Sequence, residues 1–415
     1  MSAVAIPEKQ AASFWGTETT YGTTPSMTRC FPTSIKLKPK QTNLKVEEER
    51  NRGRKHIIPV QGLKSCEGEI GWLLKPDGTQ LTSAATASTP WGMLPFKTLW
   101  GGEAAAGGST VQSSSTTTSV IVDTGHGSRF AVGTIIAVEV SGSLEPTEVI
   151  AVSTDTLTVW PQLSGTPTTS GVVVNSYTYY PVDAYAAHNA STSMAIQHAL
   201  AATNVTGYAD FQWTVNAATG LIEISIERDK LISAVWKLAA AKWTGPSDQS
   251  ITVTAASDAM ATAMPVRTGR TLIQALSSTT RTHVSIKTLG LKFPEENKII
   301  EELDGTLEGT TGVQKIAQRP GVEAMIKQLA DSSVYSSLYT LQTKVALWHW
   351  TQVGTGTTAR FVGVVIPTAV IGELPVYDED GGLKTVEYTL QAMEDEKTSG
   401  STSDCALACV RVFML

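Results

Sequence analysis

The chain has little charge. Asp, Glu, Lys and Arg make up 17% of its 415 residues, and the formal net charge is -6. Phosphate binding needs clustered Lys and Arg, so a sequence-wide electrostatic grip on nucleic acid is not expected. Cysteine is scarce as well. Cys30, Cys66, Cys405 and Cys409 are scattered and form no disulfide framework, which fits synthesis in a reducing cytosol. No run of about 18 apolar residues occurs, so no membrane span is expected. Met1 to Glu8 lacks a basic region followed by an apolar core, so no signal peptide is expected there either. There is no Walker loop, no G-x-S-x-G and no GxGxxG after a strand.

What is present is Thr, Ser, Ala, Gly and Val, a mix that suits strands and turns more than helices. The length allows two or three domains and a sizeable core. Residues 1–32 read as an N-terminal arm, Gly/Thr/Ser-rich and anchored by Phe14, Trp15 and Tyr21 on its own body or on a neighbour. From Ile35 the apolar residues alternate, with Ile35, Leu37 and Pro39 on one face and Lys36, Lys38 and Lys40 on the other. Leu44 and Val46 are out of phase with them, so a bulge is expected between Gln41 and Asn43. The charged loop Glu47, Glu48, Glu49, Arg50, Asn51, Arg52, Gly53, Arg54, Lys55 follows. It is either a solvated hairpin tip or a reaching loop whose mixed charges pair with a partner subunit.

Residues 104–119, Ala/Gly then Ser/Thr, read as a linker. Beyond it, short strands are predicted at 120–122, 134–140, 147–152, 157–160 and 172–176, separated by turn residues such as Ser141-Gly142. This texture, with Arg129 as its lone base up to residue 182, predicts a small β-sandwich or barrel over 104–182. The remaining core is expected at 33–103 and 183–415. In it Leu221 to Glu227 is a clean strand, with Ile222, Ile224 and Ile226 opposite Glu223, Ser225 and Glu227. Residues 193–202 and 235–243 fit a strand or a short helix. Pro320-Gly321 precedes Val322, Met325, Ile326 and Leu329, whose i, i+3, i+4, i+7 spacing predicts a helix. Strands are expected at 344–350, 360–366, 385–392 and 408–415, with a turn over Asp378 to Gly382.

Chemistry is thinly marked. Val122-Asp123-Thr124-Gly125 matches the aspartic-protease triplet, but that mechanism needs two carboxylates sharing a proton and this is one copy, in ordinary turn residues. Cys405 and Cys409 have no second Cys or His pair at metal-ligand spacing and are read as buried side chains on one face of a strand. Asp378-Glu379-Asp380-Gly381 lacks the other ligands of a calcium loop. His349, between Trp348 and Trp350, reads as a packed residue. No catalytic residue, metal ligand or cofactor is predicted.

Two regions together resemble the bacteriophage major tail (tail tube) protein family. One is Thr33 to Gly102, with a strand, a long polar loop, "GEIGWLLKP" and an apolar block ending in Gly101-Gly102. The other is the finish, "RFVGVVIPTAVIGELPVYDEDGGLKTVEYTLQAMEDE" followed by "CVRVFML". The resemblance is one of pattern and order and covers about 33–102 and 190–415. It implies a tail-tube β-sandwich or barrel-like core with a flanking helix, in a mainly-β (α+β) chain, with the 104–182 unit as an inserted surface domain. It also implies a virion protein without enzymatic activity. Six copies would close a ring by continuing their sheets, and rings would stack into a tube whose lumen conducts genomic DNA without specific binding. Tape measure, terminator and sheath proteins would be its neighbours. On that reading Glu47, Glu48, Glu49, Arg50, Arg52, Arg54 and Lys55 bridge rings. Glu223, Ser225 and Glu227 face either the lumen, where acids repel phosphate, or bulk solvent. Ten Trp and ten Tyr keep open a carbohydrate-binding or glycan-degrading β-protein, although no carboxylate pair in a recognisable strand context stands out. Another tail component of the same fold, a terminator or a distal ring, is the third alternative.

Overall fold

The computed structural model describes residues 11–50, 54–75, 80–82, 89–182, 193–200, 211–227, 231–245, 269–279, 281–293, 297–301, 310–315, 322–398 and 401–415. The chain enters as β1 (Ala11–Thr17) and β2 (Thr28–Cys30), which pair antiparallel; Phe14 and Trp15 are buried. Residues 11–30 thus dock on the chain's own body, and the arm's first ten residues lie outside the described residues. Then β3 (Ser34–Arg50) and β4 (Arg54–Leu73) form a long antiparallel hairpin. The alternation holds: Ile35 and Leu37 pack on the core while Lys36, Lys38 and Lys40 are exposed. The expected irregularity is present, because the register shifts between Gln41 and Asn43.

The block after β4 is helical. Helix α1 (Leu94–Trp100) has Pro95 in its first turn, and Gly101 takes the left-handed conformation after its last (φ 85°), its amide reaching Lys97 O. Around α1 the largest side chains collect. Trp15, Trp72, Phe96, Trp100 and Phe293 form a chain of ring contacts 5.0–6.1 Å apart. Their polar tips are satisfied, with Trp15 Nε1 donating to Trp91 O (3.0 Å) and Trp72 Nε1 to Gly92 O (2.9 Å).

From α1 the chain runs through β5 (Gly101–Ala104) into a separate six-stranded sheet: β6 (Ser109–Thr110), β7 (Ser119–Ile121), β8 (Ile135–Val140), β9 (Ser143–Ser153), β10 (Thr156–Trp160) and β11 (Val172–Asn175). Its order is β6-β11-β8-β9-β10-β7, and one bridge, Val111 to Val122, brings its edges together. The expected strands are there, but the expected linker over 104–119 is not. Ser109, Val111 and Ser115 are buried, and β6 and β7 lie within or beside that stretch. Short polar residues look like linker in a sequence; here their hydroxyls bond the turn around Asp123 and order the backbone. The chain then returns as β12 (Tyr177–Pro181), which lies against β5 in the large sheet.

The large sheet continues with β13 (Met194–Leu200), β14 (Phe211–Glu227), β15 (Ser233–Thr244), β16 (Arg270–Ala275) and β17 (Ile286–Lys292). Both segments left open between strand and helix are therefore strands. A two-stranded ribbon follows, β18 (Asn297–Glu301) with β19 (Thr310–Lys315). The helix expected over 322–329 is instead β20 (Glu323–Leu329). Val322, Ala324, Ile326 and Gln328 are buried, while Met325 is 40% and Leu329 48% exposed. Pairing with β17 on one side and the later strand at 383–393 on the other overrides the helical spacing. The inward Gln328, hidden from an apolar count, accepts from Tyr388 Oη at 3.1 Å.

The last elements are β21 (Val345–Val353), β22 (Arg360–Ile371), β23 (Val376–Asp380), β24 (Leu383–Met393), α2 (Asp404–Leu407) and β25 (Arg411–Met414). Gly381 and Gly382, both at positive φ, make the expected turn between β23 and β24. Cys405 lies in α2 and Cys409 after it, not on one strand face; Cys405 is buried and Cys409 partly so. The result is a mainly-β fold of one 17-stranded sheet that curls around α1 without closing, with the smaller sheet packed on it.

Candidate functional site

The packing between the two sheets joins apolar side chains from both with a cluster of buried charges. Strand β8 is buried on both faces. Its Ile136 and Val138 line the small sheet's own core, while Ile135 and Ala137 join Trp160 and Val174 against Trp348, Trp350, Phe361 and Phe413 of the large sheet. Beside this apolar contact sits a cluster of four charges. Arg411, fully buried on β25, donates to Glu148 Oε1 of β9 at 2.8 Å and to Asp395 Oδ2 at 3.0 Å. It also donates to the carbonyls of Cys405 (2.7 and 3.0 Å) and Ala406 (3.1 Å). Lys397 Nζ lies 3.2 Å from Glu148, 2.9 Å from Asp395 and 4.8 Å from the centre of the Trp160 ring. Two acidic and two basic side chains face one another, so the buried charge is compensated within the cluster in large part.

The two carboxylates are driven apart. Burial, then the negative charge of Asp395, pushes Glu148 up to about 8 despite Lys397 and Arg411. Burial also acts to raise Asp395, but Arg411, the hydrogen bond with Glu148 and Lys397 outweigh it and hold Asp395 below the usual carboxylate range. Such a split pair resembles an acid–base couple. Here all four side chains are at most 6% exposed, so the cluster is out of reach of a substrate and serves as a clamp between sheets. Sequence reasoning missed it. Its one visible signal is Arg411 between Val410 and Val412, a lone cation in an apolar strand that requires a buried partner.

Asp123 of the aspartic-protease-like triplet lies beside Ser109 and His126, which superficially assembles a Ser-His-Asp set. The geometry is wrong for a relay. Ser109 Oγ (2.9 Å) and Asp123 Oδ2 (3.5 Å) both address the same ring nitrogen, Nδ1 of His126. Ser109 is buried, and its Oγ accepts from the Asp123 amide. The Asp123 carboxylate takes hydrogen bonds from Thr110, Ser109 and Gln112, and those from Thr110 do most to hold it below its usual range. This is turn chemistry that fixes β6 to β7. Among the described residues no group of His, Cys, Asp and Glu is arranged to hold a metal ion. His349 is buried, with Nδ1 2.9 Å from Thr271 Oγ1, and burial drives it down to about 4, so it is a neutral core residue.

The predicted contact residues fall on the β3–β4 hairpin. Glu47, Glu48, Glu49 and Arg50 end β3, and Arg54 and Lys55 begin β4, with Glu49 opposite Lys55 and Arg50 opposite Arg54; Arg52 lies outside the described residues. Pairing of β4 with β15 spans only Cys66–Leu73. The outer part of the hairpin is, among the described residues, a two-stranded ribbon of about ten residue pairs, roughly 35 Å long at strand rise.

Glu223, Ser225 and Glu227 lie on β14 as expected, half-buried, with Ile222, Ile224 and Ile226 buried behind them. Their face is not uniformly acidic. Lys237 on β15 pairs with Glu223 at 2.6 Å, and Ser225 Oγ donates to Glu227 at 3.4 Å. Across the sheet the charge alternates strand by strand, with Lys36, Lys38 and Lys40 on β3, Glu67 and Glu69 on β4, Lys237 on β15 and Glu223 on β14.

The other exposed region surrounds β23, whose five residues are all exposed. Among the described residues, the exposed large apolar side chains other than Leu63 fall between Met325 and Met393. Leu374, Val376, Met325 and Tyr388 help to line a shallow cleft of about 280 Å³ there. Clustered exposed apolar surface of this kind marks interaction sites. The geometry therefore offers a ribbon, a mixed-charge sheet face and an apolar edge region, all suited to macromolecular contact. No family model matches the chain, and no curated protein is found to match it.

Proposed function

We propose that the protein is a structural subunit that assembles with copies of itself in the manner of phage tail tube proteins. On this reading the large sheet and α1 are the tube core and the 109–175 sheet is an inserted surface domain. Copies form hexameric rings, and the β3–β4 ribbon reaches the next ring of a virion tail. The observation that carries the reading is that ribbon. A two-stranded hairpin of this length is marginal alone in water and leaves strand edges unpaired, so it is stable where another surface covers it. The mixed-charge face of β14 and β15 fits a water-filled lumen, where paired acids and bases give DNA no net hold.

Negative-stain microscopy of the purified full chain tests the reading directly, with rings or tubes as the expected outcome and single particles at every concentration as the refuting one. Deleting Glu48 to Lys55 shortens the ribbon at its outer end. The shortened protein is expected to remain folded and to form no tubes; normal tubes from it would remove the stacking role.

A further inference from the structure

Among the described residues several strands of the large sheet pair on one side only, β2 and β5 among them, and the two that carry the most charge are β3 and β23. Strand β3 pairs with β4 alone, and β23 pairs with β24 alone. Their charges are opposite. From Thr33 to Val46 the chain carries four lysines and no acid, and from Glu373 to Glu387 it carries five acids and one lysine. Lys36, Lys38 and Lys40 are exposed at one edge; Asp378, Glu379 and Asp380 are exposed at the other. Lys36 and Lys38 recur at the same two-residue spacing as Asp378 and Asp380. One register, in either strand direction, therefore sets both pairs side by side. Part of each set is already compensated within the chain, Lys40 by Glu67 (2.6 Å) and Asp380 by Lys287 (3.0 Å), so neither edge repels itself. Beside β23 the exposed Leu374, Val376 and Tyr377 supply apolar surface that a neighbouring strand would cover.

We infer that the acidic β23 edge of one copy adds to the basic β3 edge of a second copy, extending the sheet from subunit to subunit by charge-steered strand pairing. The contact is heterologous, using different patches on the two partners, so repetition generates a ring or a filament rather than a two-fold dimer. It names the partner edges and rests on the self-assembling reading above. It predicts that assembly weakens as salt screens the facing charges.

The test uses the full chain, with mass measured by sedimentation over nanomolar to micromolar concentration. Lys36→Glu with Lys38→Glu makes both edges acidic; Asp378→Lys with Asp380→Lys makes both basic. Each double variant alone is expected to assemble at least tenfold less readily than the parent, and an equimolar mixture to assemble in alternation, since each acidic edge then meets a basic one. The mixture also controls for folding, because only folded subunits restore assembly. If either variant alone assembles like the parent, or the mixture stays dissociated while the parent assembles, the edge assignment is wrong and the self-assembling reading survives. If the parent is monomeric throughout, that reading fails and takes the inference with it.

Discussion

Replacing Arg411 by methionine asks how firmly the four-charge clamp holds the two sheets. The substitution keeps most of the side chain's apolar volume and removes five hydrogen bonds, to Glu148, to Asp395, twice to Cys405 O and to Ala406 O. It leaves two buried carboxylates with one cation, Lys397. Removing one partner of a buried ion pair costs about 3–5 kcal/mol, because the other charge stays buried and uncompensated. Glu148 already leans toward its neutral form and can take up a proton in response, which places the expected loss near the lower end, about 3 kcal/mol. Urea unfolding at neutral pH, followed by tryptophan fluorescence, measures it. Trp160, under Lys397, and Trp348 and Trp350 lie in the junction and contribute to that signal. The informative comparison is the double variant Glu148→Gln with Arg411→Met, in which the orphaned charge is removed along with its partner. It should be more stable than Arg411→Met alone. A single variant within about 0.5 kcal/mol of the parent, the range of an ordinary surface change, would show that the cluster does not clamp the sheets. A double variant no better than the single would show that uncompensated charge is not the cause of the loss.

The same cluster makes stability depend on pH. Glu148 is raised from an ordinary 4.5 to about 8, so the stability it contributes is full below about 4.5 and is lost as pH rises through about 8. Asp395 has the opposite sign: its contribution is present above its ordinary 3.8 and is lost on acidification below that. The melting temperature of the parent should therefore fall between pH 5 and pH 8, and that of Glu148→Gln should fall less; equal slopes would discard the assignment. On β20 the strand assignment separates two adjacent apolar residues. Ile326→Ala should cost about 2–5 kcal/mol and the neighbouring Met325→Thr less than about 0.5, measured by the same urea titration. Equal losses at both positions would favour the helix that the sequence spacing suggests.

How much of this could be read from the residues depends on the range over which each signal acts. Strand periodicity is local and was legible. Ile35 and Leu37, and Ile222, Ile224 and Ile226, face the core as their alternation says, and the out-of-phase Leu44 announces the bulge at Gln41 to Asn43. The Ser141-Gly142 and Gly381-Gly382 turns were legible for the same reason, since positive φ favours glycine at Gly142, Gly381 and Gly382. The helix was placed wrongly although its punctuation was present. Pro95 and Gly101 bracket α1 as the rules require, but seven residues between two long strands carry too few turns for a 3.6-residue period to show. The stretch at 322–329 shows the converse, an apolar spacing that fits a helix but is decided by two flanking strands far away in sequence. The linker reading of 104–119 failed similarly, because Ser109 and Thr110 are ordered by the distant carboxylate of Asp123.

The clamp lies beyond local reading altogether. Glu148 and Arg411 are 263 positions apart, and nothing in either neighbourhood names the other. What the sequence did carry was half of an unbalanced equation. A guanidinium flanked by Val410 and Val412 cannot remain unpaired at the cost of burying a bare charge, so at least one carboxylate had to be drawn in from elsewhere. Finding Glu148 there, on the small sheet, explains why that sheet is not a loosely tethered decoration. Moving it away would expose the faces of Trp348 and Trp350 and strand Arg411 and Lys397 with Asp395 as their single acid. The apolar and the electrostatic terms thus oppose the same displacement, and the two sheets are expected to move as one unit in any assembly the protein forms.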